Sequence, residues 1–157
     1  MDGSSAVVRL LADLGANVNA QDGEYGDALQ AAAFDGNEEV VQLLVDLGGD
    51  VNAQGGKYGN ALQAATLVGD EAMVRLLVDR GADVNAQGGE YGNALQAAAS
   101  RGNEAAIRLL VGLGADINAQ GGKYGNALHA ATLDGNEAMV RLLVDLGADV
   151  KIGRAHV

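Results

Sequence analysis

Shifted by 33 residues, this chain falls onto itself. The stretch from Gln54 to Ala86, QGGKYGNALQAATLVGDEAMVRLLVDRGADVNA, is the pattern from which the rest is copied. Its segment Asn60-Ala61-Leu62-Gln63-Ala64-Ala65 returns as Asn93 to Ala98 and as Asn126 to Ala131, where His129 replaces the glutamine. One step earlier it reads Asp27-Ala28-Leu29-Gln30-Ala31-Ala32. A fixed period of this size specifies a stack of like supersecondary units, none large enough to bury its own apolar face. The core must then lie between neighbours, and stability must grow by one interface per unit.

Each full unit reads as two helices and a loop. Asn60, with its equivalents Asp27, Asn93 and Asn126, is placed to cap a short alanine-rich helix whose small side chains let neighbouring backbones approach closely. Gly69 ends that helix, because glycine adopts the left-handed C-terminal conformation at least cost. Asp70, or Asn37, Asn103 and Asn136, caps a second helix, and a glutamate in its first turn complements the positive end of the helix dipole. Met73, Val74, Leu76, Leu77 and Val78 form its apolar face, with Arg75 and Asp79 on the outer side. Gly81 closes it, and Ala82 to Gly89 is expected to form an extended, hairpin-like loop into the next unit. Leu62, Leu95 and Leu128 are the expected core residues of the first helices.

Composition narrows the function. A net charge of −11 argues against nucleic-acid and anionic-membrane partners, which require a basic footprint. No cysteine is present, so neither a disulfide framework nor a cysteine-based metal site is available. The opening residues MDGSS lack the basic start and apolar run of a signal peptide, and no apolar run reaches membrane-spanning length. We expect a cytoplasmic, intracellular protein with no cofactor.

The period, the GADVNA after the second helix and the Leu128-His129-Ala130-Ala131 of the first resemble ankyrin repeats, at matching offsets along residues 1–150. The resemblance implies an all-α solenoid of stacked helix-turn-helix units with hairpin-like loops: a partial unit at 1–20, then 21–53, 54–86, 87–119 and 120–150. Two departures from the family pattern matter. Its Thr-Pro-Leu-His turn appears here as Asn-Ala-Leu-Gln, so asparagine must cap without proline. Its hairpin glycine is occupied by Tyr25, Tyr58, Tyr91 and Tyr124, with glycine one residue later, so the turn is expected to differ while the register holds. The variant NAQGG-x-YGNALQAA is similar to arrays that follow nucleotide-binding, NACHT-type signalling domains in filamentous fungi.

Both ends depart from the repeat. The first unit lacks its first helix; its Asp2-Gly3 aligns with Asp35-Gly36. After Val150 the pattern requires Asn-Ala-Gln-Gly-Gly, and the chain gives Lys151 followed by Ile152-Gly153-Arg154-Ala155-His156-Val157. Those residues translate ATC GGA AGA GCA CAC GTC, one frame of a widely used sequencing-library adapter. We read 151–157 as a non-native read-through tail, the chain as a fragment of a larger signalling or recognition protein, and both ends as prone to end-to-end self-association. Exposure of Met139, Val140, Leu142, Leu143 and Val144 is expected at the second of them.

No catalytic constellation is visible. His129 and His156 are the only histidines and stand too far apart for ligand spacing; His129 is expected to bond neighbouring loops. Gly88-Gly89 is followed by no Gly-Lys-Ser/Thr and serves turn geometry rather than phosphate binding. The dispersed acidic residues read as a solvated face; the tyrosine row could contact a partner, but packing on adjacent loops is the favoured reading. We therefore expect no enzyme and no metal site. The informative positions are those that differ between copies: Glu24, Lys57, Glu90 and Lys123 in the loop, and Phe34, Leu67, Ser100, Leu133 with Asp35, Val68, Arg101, Asp134 at the end of the first helix. The resemblance implies that these touch a protein partner. For the loop charges, pairing between adjacent units explains the alternation of sign equally well. Phe34, Leu67 and Leu133 are expected to be exposed apolar anchors. The alternative function is a structural spacer or self-associating array without a specific partner.

Overall fold

The computed structural model describes residues 3–21 and 23–150. Met1, Asp2, Asp22 and the expected tail 151–157, His156 included, lie outside the described residues. Within them the chain is helical throughout: α1 (Gly3–Asp13), α2 (Ala28–Asp35), α3 (Glu38–Asp46), α4 (Ala61–Leu67), α5 (Glu71–Asp79), α6 (Ala94–Ser100), α7 (Glu104–Gly112), α8 (Ala127–Leu133) and α9 (Glu137–Asp145). A single 3-10 turn, Gly23–Tyr25, precedes α2. The first helices α2, α4, α6 and α8 pack in a row, each also against its own partner α3, α5, α7 or α9, and α1 lies on α3.

Local chemistry sets each boundary. The Asn60 side chain accepts from the Gln63 N–H at 2.9 Å, and Asp27, Asn93 and Asn126 do the same in their copies. At the other end of α4, the Asp70 N–H reaches the Ala65 carbonyl and the Gly69 N–H reaches Thr66, at 3.1 and 3.0 Å. That reciprocal closure requires a left-handed residue between them, and Gly69 supplies it at φ +74°. Asp70 then serves twice, because its carboxylate caps α5 by accepting from the Met73 N–H. No proline is needed to start these helices.

The loop after the second helix is less extended than the sequence suggests. The Asp83 carboxylate accepts from the Asn85 N–H at 2.9 Å and its carbonyl from the Ala86 N–H at 3.0 Å, folding the segment into a turn. A small antiparallel bridge follows, Gly88 to Gly92, repeated at Gly55–Gly59 and Gly121–Gly125. Tyrosine is tolerated at the tip because the displaced glycine carries the positive dihedral: Gly59 has φ +84°, and among the described residues no other residue type adopts one.

Two side-chain ladders join the units. The Asn52 amide accepts from the Asp83 N–H at 2.7 Å and donates to the Gly81 carbonyl at 3.0 Å. Asn19, Asn85 and Asn118 repeat both bonds to the next unit. Deeper, Gln63 donates to the Gly88 carbonyl and Gln96 to Gly121, both at 2.9 Å, so the fully buried glutamines tie each first helix to the following loop.

The main core cluster runs between the helix rows, with Leu29, Leu62, Leu95, Met73, Ile107 and Leu143 inside it. Leu128, the third leucine expected in the core, is only partly buried and packs against it. The expectation for the last helix is corrected: Met139, Leu142 and Leu143 are buried, because α9 turns its stripe onto α8 and the core cluster. Of the residues expected to be exposed on α9, only Val144 is, and Val140 is half-buried. At the other end Val7, Leu10, Leu11 and Leu14 are exposed, and so is Ala28, whereas Ala61, Ala94 and Ala127 are each covered by the preceding first helix.

Candidate functional site

Of the varied positions, Phe34, Asp35, Lys57, Glu90 and Arg101 line two hollows built from loop tips and the C-terminal ends of first helices. The loop tips are joined two by two. The Lys57 N–H donates to the Glu24 carbonyl at 2.9 Å, and its ammonium meets the Glu24 carboxylate at 2.6 Å. Lys123 and Glu90 repeat both links. In each pair the hydrogen bond to the carboxylate raises the lysine above its usual range. These side chains are about half exposed, so solvent screens the pairs and they mainly hold register. Between Lys57 and Glu90 no such link forms among the described residues.

The tyrosines mostly pack, as their periodicity suggests. Tyr58 is buried, with its ring tilted against Tyr25 at 6.2 Å and stacked on Phe34 at 4.8 Å. Lys123 lies 5.0 Å from both the Tyr91 and Tyr124 rings, which are themselves 6.3 Å apart. Tyr25 differs: it is half exposed, and with Ala31, Phe34 and Asp35 it lines a hollow of about 260 Å³. A second hollow of about 180 Å³ lies between Phe34, Lys57, Tyr58, Glu90, Tyr91 and Arg101. The sequence favours packing over partner contact for the tyrosine row, and Tyr25 and Tyr91 each line one of these hollows.

The apolar anchors require a correction. Leu67 is buried, only 8% exposed, in a small cluster with Tyr58, Ala64 and Ala97, where Phe34 and Tyr91 pack over it. Phe34 is half-buried because Tyr58 covers one of its faces. Leu133, at the same position in the last copy, is 72% exposed. Ser100 is half-buried, and its hydroxyl donates to the Ala97 carbonyl at 2.8 Å. The residues that follow, Asp35, Val68, Arg101 and Asp134, are exposed in all four copies. Arg75 and Arg141 are also exposed, on the second helices.

His129 bonds its own loop rather than a neighbour's: its Nδ1 lies 3.3 Å from the Tyr124 carbonyl. Among the described residues no group of three histidine, aspartate or glutamate side chains is placed to hold a metal ion. No helix among them is long and apolar enough to cross a membrane.

A search of curated proteins finds no match. A family model described as ankyrin repeats in three copies matches residues 1–88 and again residues 87–153. The match runs through every helix pair, both capping glycines and both inter-unit ladders, and the chain belongs to the ankyrin-repeat family.

Proposed function

We propose that this array is a protein-binding module whose recognition surface is the face of loop tips and first-helix ends. Ankyrin repeats are in general protein-protein interaction modules. One observation carries the assignment of the face. At the end of each first helix, a position that changes between successive copies (Asp35, Val68, Arg101, Asp134) is exposed in every copy, while the first-helix leucines Leu29, Leu62, Leu95 and Leu128 that face the core are copied unchanged. Copying maintains the stack; variation at an exposed, register-fixed site supports recognition. Rigid presentation then lets a few anchors set affinity, since little ordering accompanies binding.

The test is an alanine scan against a partner recovered by affinity capture. Phe34→Ala and Arg101→Ala are expected to weaken binding by more than about 1 kcal/mol each, whereas Arg75→Ala and Arg141→Ala leave it unchanged. Loss confined to the second-helix variants would assign recognition to the opposite side.

The array belongs, in this reading, to a larger intracellular signalling protein of the NACHT type, supported by the similarity of its NAQGG-x-YGNALQAA units. A full transcript without a nucleotide-binding motif would remove that assignment. A second reading, self-association, is favoured by exposed Leu10, Leu11 and Leu14 on α1 beside the uncovered Ala28. Sedimentation as a monomer at high concentration counts against it.

A further inference from the structure

The two hollows on the recognition face share one wall and carry opposite charge. Phe34 stands between them. On one side lie the Tyr25 ring and the Asp35 carboxylate, with no cation lining the hollow. On the other side lie Lys57, Glu90 and Arg101. Two of those charges are already answered, Lys57 by Glu24 and Glu90 by Lys123. Arg101 enters no ion pair among the described residues, and neither does Asp35. The uncompensated charges around Phe34 are therefore one acid and one base, each beside aromatic surface.

We propose that these hollows read one basic and one acidic side chain of an extended protein segment, the base against Tyr25, Phe34 and Asp35 and the acid against Arg101. This deepens the protein-binding reading and rests on it. An aromatic wall with a carboxylate is the environment that attracts a guanidinium or ammonium group. A guanidinium with free donors is the matching partner for a carboxylate. The chain's net charge of −11 steers a basic group toward the face, while Arg101 supplies a local exception to that field. Asp35 ends α2 and Arg101 follows α6, two first-helix spacings of about 8–10 Å each. In a polyproline II strand, residues six apart fall on one side with a rise of about 19 Å. The segment that fits therefore carries its two charges six residues apart.

The experiment uses the full chain and the acetylated, amidated peptide Pro-Arg-Pro-Pro-Pro-Pro-Pro-Glu-Pro, whose prolines favour that conformation. Binding is read by nitrogen–proton correlation spectra. Saturable shifts are expected at the amides of Phe34, Asp35 and Arg101. Replacing the peptide's arginine by citrulline, or its glutamate by glutamine, is expected to weaken binding about tenfold each. Asp35→Asn should abolish only the citrulline penalty, and Arg101→Gln only the glutamine penalty. Both residues are exposed, so the spectra of these variants should retain the native dispersion. Absence of saturable shifts, or penalties that survive both substitutions, overturns the proposal. A captured partner that loses binding on Phe34→Ala but ignores Asp35→Asn and Arg101→Gln also overturns it, while leaving the protein-binding reading intact.

Discussion

The asparagine ladder gives the sharpest test of how the units are joined. Replacing Asn85 by alanine removes two bonds to the next unit: one accepted from the Asp116 N–H at 2.7 Å and one donated to the Gly114 carbonyl at 3.1 Å. An intramolecular hydrogen bond contributes about 0.5–1.5 kcal/mol net. Both lie in an exposed loop where water can replace the lost partner, so the lower half of that range applies and the sum is about 1–2 kcal/mol. Asn118→Ala should cost less, because its donated bond to Gly147 is stretched to 3.5 Å. Urea unfolding at constant slope measures both losses. Hydrogen exchange locates them: coupling in a stack is between nearest neighbours, so protection should fall in α5 and α7, on either side of the joint, more than in α3 and α9. A loss under about 0.3 kcal/mol, within the usual error of additivity, would refute the ladder as a joint. So would protection that falls equally along the array, or Asn118→Ala proving the costlier change.

Other substitutions probe the remaining contacts. Leu95→Ala empties a site 2% exposed at the centre of the stack and should cost about 2–5 kcal/mol by denaturant titration. Leu67→Ala should lower the melting temperature as well, since that leucine lies under Tyr58; an unchanged melt contradicts the buried placement. Gly59→Ala combines a left-handed dihedral with a new Cβ 2.8 Å from the Gly88 carbonyl oxygen, and a loss of roughly 1–3 kcal/mol is expected on thermal unfolding. Asp27 is the one carboxylate among four equivalent caps, and burial raises its pKa. A raised folded pKa means stability that is full below the unfolded value of 3.8 and is lost as pH rises through the folded value. Asp27→Asn keeps the acceptor and should therefore stabilise at neutral pH but not at pH below 3.8; a pH-independent difference in melting temperature would count against this.

The stack was legible because its determinants are local and repeated. A cap at Asn60, a glycine at Gly69 and a stripe at Met73, Val74 and Leu77 each act within one helical turn, and four copies make the pattern unmistakable. What escaped the sequence depends on which neighbour a residue has. Leu67 and Leu133 are the same residue at the same register, yet one is covered by rings from adjacent loops and the other faces solvent. The loop charges behave likewise. The series Glu24, Lys57, Glu90, Lys123 would permit three links, and the structure forms only the first and third. The missing link leaves the hollow in which Arg101 is free of an acidic partner. A repeat thus makes its scaffold readable from one copy, while its recognition chemistry arises where successive copies fail to match. On this surface the mismatch is concentrated around Phe34, the only phenylalanine in the chain, at the wall between its two uncompensated charges.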